Sequence, residues 1–353
     1  MRYVIFCRVI DNYGDAGVCW RLATNLAQVE ESVTLVIDRP DVLDALVDRH
    51  AMPASIQVLD WPDDQHLVSP DDIADVVIEA FACDPPTAYI EAMAKRAAAG
   101  RPPVWINLEY LSAEDWVGAH HRLPSPHPRH SLVKHFYFPG FTPDSGGLIR
   151  EPSLFPLQEQ TPPVAVSTLR IFLFSYEQPI LEDWVALLDH TTLSVAPCPA
   201  ADQLARLSDN LPATLTIRAL PFVPQAQFDA LLGEQDLLFV RGEDSFVRAQ
   251  WAGKPVFWHI YPQDDGAHLE KLRAFYQRYL DPEILDQHAR ALILRFLLIW
   301  NRGLEPIALA SLWPEIIRLL PALRKNAQKW RDILLEQPDL VTQLRAFVSD
   351  LVK

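Results

Sequence analysis

The feature of this sequence that most constrains its fold is an alternation of short apolar runs with amphipathic segments. Apolar runs at residues 2–6, 33–38, 55–59, 74–80 and 104–108 predict strands. The segments at 16–27, 41–48 and 87–98 have the spacing of helices. Because parallel strands are buried on both faces and connected by helices, this alternation predicts a parallel, doubly wound α/β sheet.

A second series of the same kind follows a proline-rich stretch. Apolar runs at 169–174, 191–195, 214–219, 236–240 and 255–260 again predict strands, and residues 264–353 are mainly helical by periodicity. Prolines concentrate in 122–165, which is therefore predicted to connect two domains. A chain of 353 residues exceeds the usual size of a single hydrophobic core. We predict domains at 1–155 and 165–334, with a helix at about 335–353 packing back on the first.

Composition excludes some classes of protein. A net charge of −15 argues against nonspecific binding to nucleic acid or to a membrane surface. The apolar runs, such as 291–300, are short and interrupted by arginine, so no bilayer-spanning segment is expected and a cytoplasmic protein is predicted. Cys7, Cys19, Cys83 and Cys198 lack CxxC spacing and are predicted to be reduced.

Several histidines lie close together within the proline-rich segment. They have neither a helical HxxxH spacing nor a nearby cysteine pair, so a solvated loop is a better interpretation than a metal site. These residues are His120, His121, His127, His130 and His135. We expect no metal there.

Residues 241–263, RGEDSFVRAQWAGKPVFWHIYPQ, predict a strand end, a polar turn, a short helix and another strand. Asp244 or Ser245 can cap the helix, and Gly253 can end it. A helix start offers unpaired backbone N–H groups and a positive dipole end, which can hold a phosphate. Glu243 would oppose an anion there unless it binds sugar hydroxyls or takes part in chemistry. A plain capped helix explains the same pattern.

A second polar turn, DNYGDAGVCWRLA at 11–23, follows the first predicted strand. It falls at the carboxyl edge of the sheet, where ligands bind in open α/β folds. Gly14 and Gly17 let the backbone approach a ligand, and Asp11 or Asp15 could act as a general base. Alternatively, Asp15 caps a helix that begins near residue 16 and Asp11 makes an Asx turn.

The same turn leaves a second class of enzyme open. It lacks a full GxGxxG motif, but Asp38 ends the second predicted strand, where the ribose-binding acid of a dinucleotide site would lie. An NAD-dependent dehydrogenase is therefore an alternative. A noncatalytic module that binds a nucleotide sugar or a protein is another.

Aromatic residues end the strands of the second series. Phe174 and Tyr176 end its first strand, and Phe222 follows its third. These loops should open on the same sheet edge as residues 241–245, so a nucleobase could stack on Tyr176 or Phe222 while Gln225 bonds its edge. The alternative is that these rings fill the core.

Four strings carry a resemblance to a known family: DNYGDAGVCWRLA, FYFPGFTPDSGGLIRE, FLFSYE and the 241–263 stretch. From about residue 3 to about residue 330, the chain resembles the bacterial protein-arginine rhamnosyltransferases that modify translation elongation factor P. The resemblance implies a GT-B fold, with two facing Rossmann-like domains and a cleft between them. It also implies inverting transfer of L-rhamnose from dTDP-β-L-rhamnose to an arginine of elongation factor P. We expect no metal or other cofactor, because the second domain shows no DxD-like ligand pair and offers a helix start and arginines instead.

The resemblance also implies roles for individual residues. Asp11 and Asp15 match an acidic loop on the rhamnose and acceptor side, and Glu243 matches an essential glutamate. Together with the helix start, Arg241 or Arg248 is expected to neutralise the diphosphate. The expected donor-binding residues are Asn12, Tyr13, Gly14, Gly17, Tyr176, Phe222, Gln225, Arg241, Asp244 and Ser245.

Overall fold

The computed structural model describes residues 1–11, 13–62, 68–151, 168–207 and 211–352. The chain divides into two compact units, one formed by residues 1–151 with 337–353 and the other by 152–336. The prediction that 122–165 connects two domains is wrong for its described part, because residues 122–151 belong to the first unit.

The first unit is built on a sheet with strand order β3-β2-β1-β4-β5-β7-β6. All pairings are parallel except that of β6 with β7. The strands are β1 (Arg2–Cys7), β2 (Ser32–Ile37), β3 (Ile56–Asp60), β4 (Val76–Ala80), β5 (Val104–Leu108), β6 (Pro124–Pro126) and β7 (Val133–Tyr137). The helices are α1 (Tyr13–Gln28), α2 (Pro40–Leu46), α3 (Thr87–Ala98) and α4 (Val117–His120), with a 3-10 turn at Arg49–Ala51.

Alternate residues of β1 enter two separate cores, which confirms the doubly wound prediction. Ile5 packs with α1 on one face of the sheet, whereas Val4 and Phe6 pack with Met93 of α3 on the other. The five strands predicted in residues 1–110 are all present.

The short β6–β7 pair was not predicted from sequence. The expectation that the histidines at 120–135 lie in a solvated loop is wrong for His121 and His135, whereas His127 and His130 do lie in the segment between β6 and β7. His135 lies in β7, and Nδ1 of His121 accepts the backbone N–H of Phe138 at 3.1 Å. Burial lowers the pKa of His121 to about 4, with a smaller contribution from the charge of Arg122.

The second unit holds a parallel sheet with strand order β10-β9-β8-β11-β12, the same relative order as β3-β2-β1-β4-β5. Its five predicted strands are confirmed: β8 (Leu169–Leu173), β9 (Thr191–Val195), β10 (Leu215–Ala219), β11 (Leu237–Arg241) and β12 (Val256–His259). The helices are α5 (Leu181–Val185), α6 (Pro199–Leu204), α7 (Gln225–Gly233), α8 (Asp244–Ala252), α9 (Ala267–Tyr279), α10 (Gln287–Trp300), α11 (Leu309–Arg318) and α12 (Leu320–Leu335).

The last helix, α13 (Leu340–Val352), returns to the first unit. Leu340, Val341, Leu344 and Val348 recur at helical spacing and are buried in the same core as α1. The backbone N–H of Leu340 donates to the carbonyl of Leu148 at 2.9 Å, which attaches the start of the helix to this unit.

Two expectations from composition can be compared with the structure. The four cysteines carry free thiols, as predicted. Across the described part of the chain, every helix is too short or too polar to cross a membrane.

Candidate functional site

The turn between β1 and α1 is organised by the Asp15 carboxylate. Asp15 lies in the first turn of α1 and is 4% exposed. Its Oδ2 accepts the backbone N–H groups of Ile10 at 2.7 Å and Asp11 at 2.9 Å. Because α1 begins at Tyr13 and both donors precede it, the interpretation of Asp15 as the cap of a helix starting near residue 16 is wrong.

Burial raises the pKa of the Asp15 carboxyl, while its two backbone hydrogen bonds act in the opposite direction. The nearby Asp38 carboxylate adds a smaller upward effect. A carboxylate with a raised pKa is a stronger proton acceptor than an exposed aspartate. The turn therefore presents a group suited to general-base chemistry.

Gly14 lies close to Asp11 in the turn after β1. The backbone N–H of Gly14 donates to the carbonyl of Asp11 at 2.7 Å. A Cβ atom at Gly14 would lie 3.0 Å from Oδ2 of Asp11, so a larger residue would displace that carboxylate. Tyr13 is half-buried against the core and Gly17 is buried in α1. Asn12 lies outside the described residues.

Asp38, the residue on which the dehydrogenase alternative depended, also contacts this turn. Its Oδ1 accepts the backbone N–H of Val9 at 2.9 Å. Asp38 thus contributes to the structure and negative charge of the loop after β1.

In the second unit, the turn between β11 and α8 differs in detail from its prediction. Glu243 occupies the N-cap position of α8 and makes no side-chain capping bond, so the expectation that Asp244 or Ser245 caps this helix is wrong. The Ser245 hydroxyl donates to the carbonyl of Arg241, and the Asp244 carboxylate accepts from Nε2 of Gln225 at 2.9 Å. Gly253 ends the helix at φ 59°, as predicted.

Arg241 ends β11 and is 9% exposed. Its guanidinium carbon lies 4.8 Å from the ring centroid of Phe174 and 4.6 Å from that of Tyr176. These are cation–π distances, and they fix the guanidinium beside the β11–α8 turn. Phe174 and Tyr176, two of the three aromatic residues predicted to share this sheet edge, therefore come together with Arg241.

Arg248, the other arginine considered for the diphosphate, is held elsewhere. It is 1% exposed and donates to both carboxylate oxygens of Asp229, at 2.7 and 2.8 Å. Of the two arginines, Arg241 is therefore the better candidate for the anion.

The Tyr176 ring has further aromatic neighbours. It meets His259 edge-on at 5.0 Å and Tyr261 at 5.7 Å between centroids. Nδ1 of His259 is 2.8 Å from the Ser175 hydroxyl oxygen, and burial lowers the pKa of His259 to about 3, so this imidazole is neutral. Phe222 is 43% exposed.

Sequence reasoning missed Lys271, a residue of α9. Its Nζ lies 2.8 Å from Oε1 of Glu243, and each side chain is 17% exposed. The two residues are 28 positions apart, so no local pattern connects them. Within the described ranges, no group of three or more histidine, cysteine or acidic side chains is arranged to hold a metal ion.

Solved structures with the same architecture define the fold. The spinosyn rhamnosyltransferase SpnG has a TM-score of 0.54 at 12% identity, covering 98% of this chain and 100% of that chain. The calicheamicin glycosyltransferase CalG4 has a TM-score of 0.53 at 14% identity, covering 99% and 98% respectively. The fold is that of the GT-B glycosyltransferases, with two Rossmann-like domains.

Closer relatives define the family. A family model described as Elongation-Factor P (EF-P) rhamnosyltransferase EarP matches residues 3–349. Protein-arginine rhamnosyltransferases are 41% identical in Pseudomonas putida, over 97% of either chain, and 40% identical in Pseudomonas aeruginosa, over 98% of either chain. A structure solved to explain EarP-mediated arginine glycosylation of translation elongation factor EF-P has 29% identity and a TM-score of 0.65, covering 99% of both chains.

The chain belongs to the EarP family, which confirms the resemblance found in its sequence. It is an enzyme of the protein-arginine rhamnosyltransferase class. The dehydrogenase and the noncatalytic module are therefore rejected as alternatives.

Proposed function

We propose that this enzyme transfers L-rhamnose from dTDP-β-L-rhamnose to an arginine side chain of EF-P, with inversion of the anomeric centre. Family membership supports rhamnosyl transfer. The observation that carries the donor assignment is the position of Arg241, held by two aromatic rings beside the start of α8. A cation and a helix start together favour a diphosphate.

In this proposal, the nucleotide binds along the carboxyl edge of the second sheet. The diphosphate lies between the end of β11, which is Arg241, and the first turn of α8, which contains Asp244 and Ser245. Thymine stacks near Tyr176 or the exposed ring of Phe222. Gln225 secures the nearby loop through its bond to Asp244. Tyr13, Gly14 and Gly17 of α1, together with Asn12 before them in the sequence, are assigned to the rhamnose side.

The acceptor chemistry requires carboxylates because a free guanidinium has a pKa of roughly 12.5–13.8 and stays protonated at neutral pH. We assign Asp15 as the base that takes one N–H proton. The freed nitrogen forms a bond to C1 of rhamnose as the C1–O bond to the diphosphate breaks. dTDP leaves, and the glycosylated side chain remains a guanidinium cation. A single displacement of this kind inverts C1.

The other two carboxylates are given supporting roles. Asp11, beside Gly14, organises the loop and the sugar. Glu243, at the start of α8, positions rhamnose. The net charge of −15 on the enzyme favours encounter with a basic surface around the target arginine.

Thermal unfolding with different nucleotides tests the donor assignment. We expect dTDP and dTDP-rhamnose to raise the melting temperature, because a ligand at 100 times its Kd stabilises a protein by about 2.7 kcal/mol. NAD and unrelated nucleotides should have little effect. Ser245→Ala and Phe222→Ala should each reduce the dTDP shift. Equal shifts for the wild type and both variants would place the nucleotide elsewhere.

Mass spectrometry of EF-P tests the acceptor assignment. Incubation with enzyme and dTDP-rhamnose should add one deoxyhexose to EF-P. An EF-P variant with lysine at the modified arginine serves as the matched control and should gain nothing. Modification of that lysine variant would show that the acceptor is a different residue.

A further inference from the structure

We infer that Lys271 is a positioning residue of the donor site, which holds Glu243 and offsets its charge so that the β11–α8 turn accepts a diphosphate. This inference rests on the proposed function, because it assumes dTDP at that turn. It extends the site to α9, a helix to which neither the sequence nor the family resemblance assigned a role.

The β11–α8 turn carries negative charge at the place where an anionic ligand is expected. Glu243 and Asp244 place two carboxylates where a diphosphate is expected, and like charges a few ångströms apart repel strongly near a protein surface. The Asp244 carboxylate accepts a hydrogen bond from the neutral amide of Gln225 at 2.9 Å. Arg241 balances one of the two negative charges. A second cation next to Glu243 lowers the repulsion that a diphosphate would meet at this turn.

Lys271 supplies that cation in a sheltered position. Its ammonium lies 2.8 Å from Glu243, and both side chains are 17% exposed, so the pair is screened less than a surface ion pair. With Lys271 present, the formal charges of Arg241, Glu243, Asp244 and Lys271 cancel. Without Lys271, the formal charges of Arg241, Glu243 and Asp244 leave an excess of negative charge, which disfavours a diphosphate there.

The aromatic packing of α9 fixes the ammonium in place. Phe275 lies four residues after Lys271, and therefore on the same side of the helix. The Phe275 ring meets Phe246 of α8 at 4.7 Å between centroids, and Phe246 stacks on Trp258 of β12 at 3.8 Å. The contact between Phe275 and Phe246 therefore packs α9 against α8 one helical turn from Lys271. This packing keeps the Lys271 ammonium next to Glu243 at the start of α8.

Binding of dTDP to Lys271→Met, measured by calorimetry, tests the inference. Methionine retains the long apolar stem but lacks the charge, and we expect at least about tenfold weaker binding, which is roughly 1.4 kcal/mol. Lys271→Arg should bind within about threefold of wild type because it keeps the cation. If Lys271→Met does not fold, Lys271→Gln takes its place with the same expectation.

Combining Glu243→Gln with Lys271→Met tests whether the effect of Lys271 depends on the charge of Glu243. In Glu243→Gln, the carboxylate that Lys271 offsets is gone, so adding Lys271→Met should leave the dTDP Kd within about threefold of Glu243→Gln alone. Lys329→Met is the control. Lys329 pairs with Asp281 at 2.5 Å and Glu283 at 2.9 Å in the same unit, remote from the turn in sequence. Its loss should leave dTDP binding unchanged.

Three other outcomes of these binding measurements would contradict the inference or the proposed donor. Wild-type affinity in Lys271→Met would mean that the lysine does not set the charge of the turn. A double variant as weak as Lys271→Met in the wild-type background would show that Lys271 acts on the diphosphate directly rather than through Glu243. If the wild type itself fails to bind dTDP, the donor in the proposed function is wrong, and this inference fails with it.

Discussion

Replacing Asp15 with asparagine separates the structural role of this residue from its chemical one. Oδ2 of Asp15 accepts two backbone N–H groups, and the carbonyl oxygen of asparagine can accept both from the same place. The loop before α1 should therefore keep its shape. The variant loses only the charge that would hold and deprotonate a guanidinium.

The effect on stability follows from the sign of the pKa shift. Burial raises the pKa of Asp15 in the folded protein, so its ionisation costs stability as pH rises from the unfolded pKa through the folded one. At neutral pH asparagine avoids that cost. Against this, replacing two charge-assisted hydrogen bonds with neutral ones loses up to about 1 kcal/mol each.

These opposing terms predict a small net change for Asp15→Asn, within about 1 kcal/mol, or roughly 2–4 °C in melting temperature for a unit of this size. Asp15→Ala leaves the N–H groups of Ile10 and Asp11 without this acceptor and should lose about 1–3 kcal/mol. Asp15→Ala therefore serves as the structural control. Thermal unfolding of both variants at neutral pH measures the difference.

Rhamnosyl transfer by Asp15→Asn should fall by about 10²–10⁴-fold, the usual contribution of a general base. The dTDP affinity should stay within a few fold. Initial rates come from mass spectrometry of EF-P and affinities from calorimetry. A folded Asp15→Asn enzyme with near-normal transfer would refute the assignment and make Asp11 or Glu243 the candidate base. Joint loss of donor binding and transfer would place Asp15 in the sugar site.

Three further predictions concern pH, metal and the arginines of the second unit. Because the pKa of Asp15 is raised, the acidic limb of kcat/KM should lie above the ordinary aspartate pKa, and a limb at or below it would contradict the role of Asp15. Chelators should leave transfer unchanged, because Arg241 and the start of α8 supply positive charge to the diphosphate; restoration of lost activity by a divalent ion would oppose this. Arg241→Lys should weaken dTDP binding about tenfold, because lysine loses the flat contact with Phe174 and Tyr176. Equal nucleotide affinity in Arg241→Lys and the wild type would argue against a role for the stacked guanidinium. Arg248→Met should instead lower stability, because it leaves Asp229 without its buried partner.

The strands and their order along the chain were predictable because they depend on local patterns. A strand buried on both faces must be apolar throughout, and the helix that connects it to the next must carry an apolar stripe. Both requirements can be recognised within short segments of the sequence. The position of the polar turns after β1 and β11 follows from the same patterns, which is why Asp15, Glu243 and Arg241 could be proposed as site residues.

The β6–β7 pair shows where local patterns mislead. Pro124 and Pro126 lower the strand propensity of β6, but an edge strand tolerates residues that cannot donate to the ladder. Whether such a segment pairs depends on a neighbouring strand being present. The local sequence does not contain that information.

The partners of the charged side chains were decided by the tertiary structure. Arg241 and Arg248 are seven positions apart and equally suited to an anion by residue type. In the folded chain, Arg241 stacks on aromatic rings at the sheet edge, whereas Arg248 pairs with Asp229, 19 residues away. Lys271 reaches Glu243 across 28 residues in the same manner. Residue type and periodicity determined which chemistry the chain carries and where its strands end, but long-range packing determined which charges meet, because the energy of an ion pair depends on a distance that only the folded chain defines.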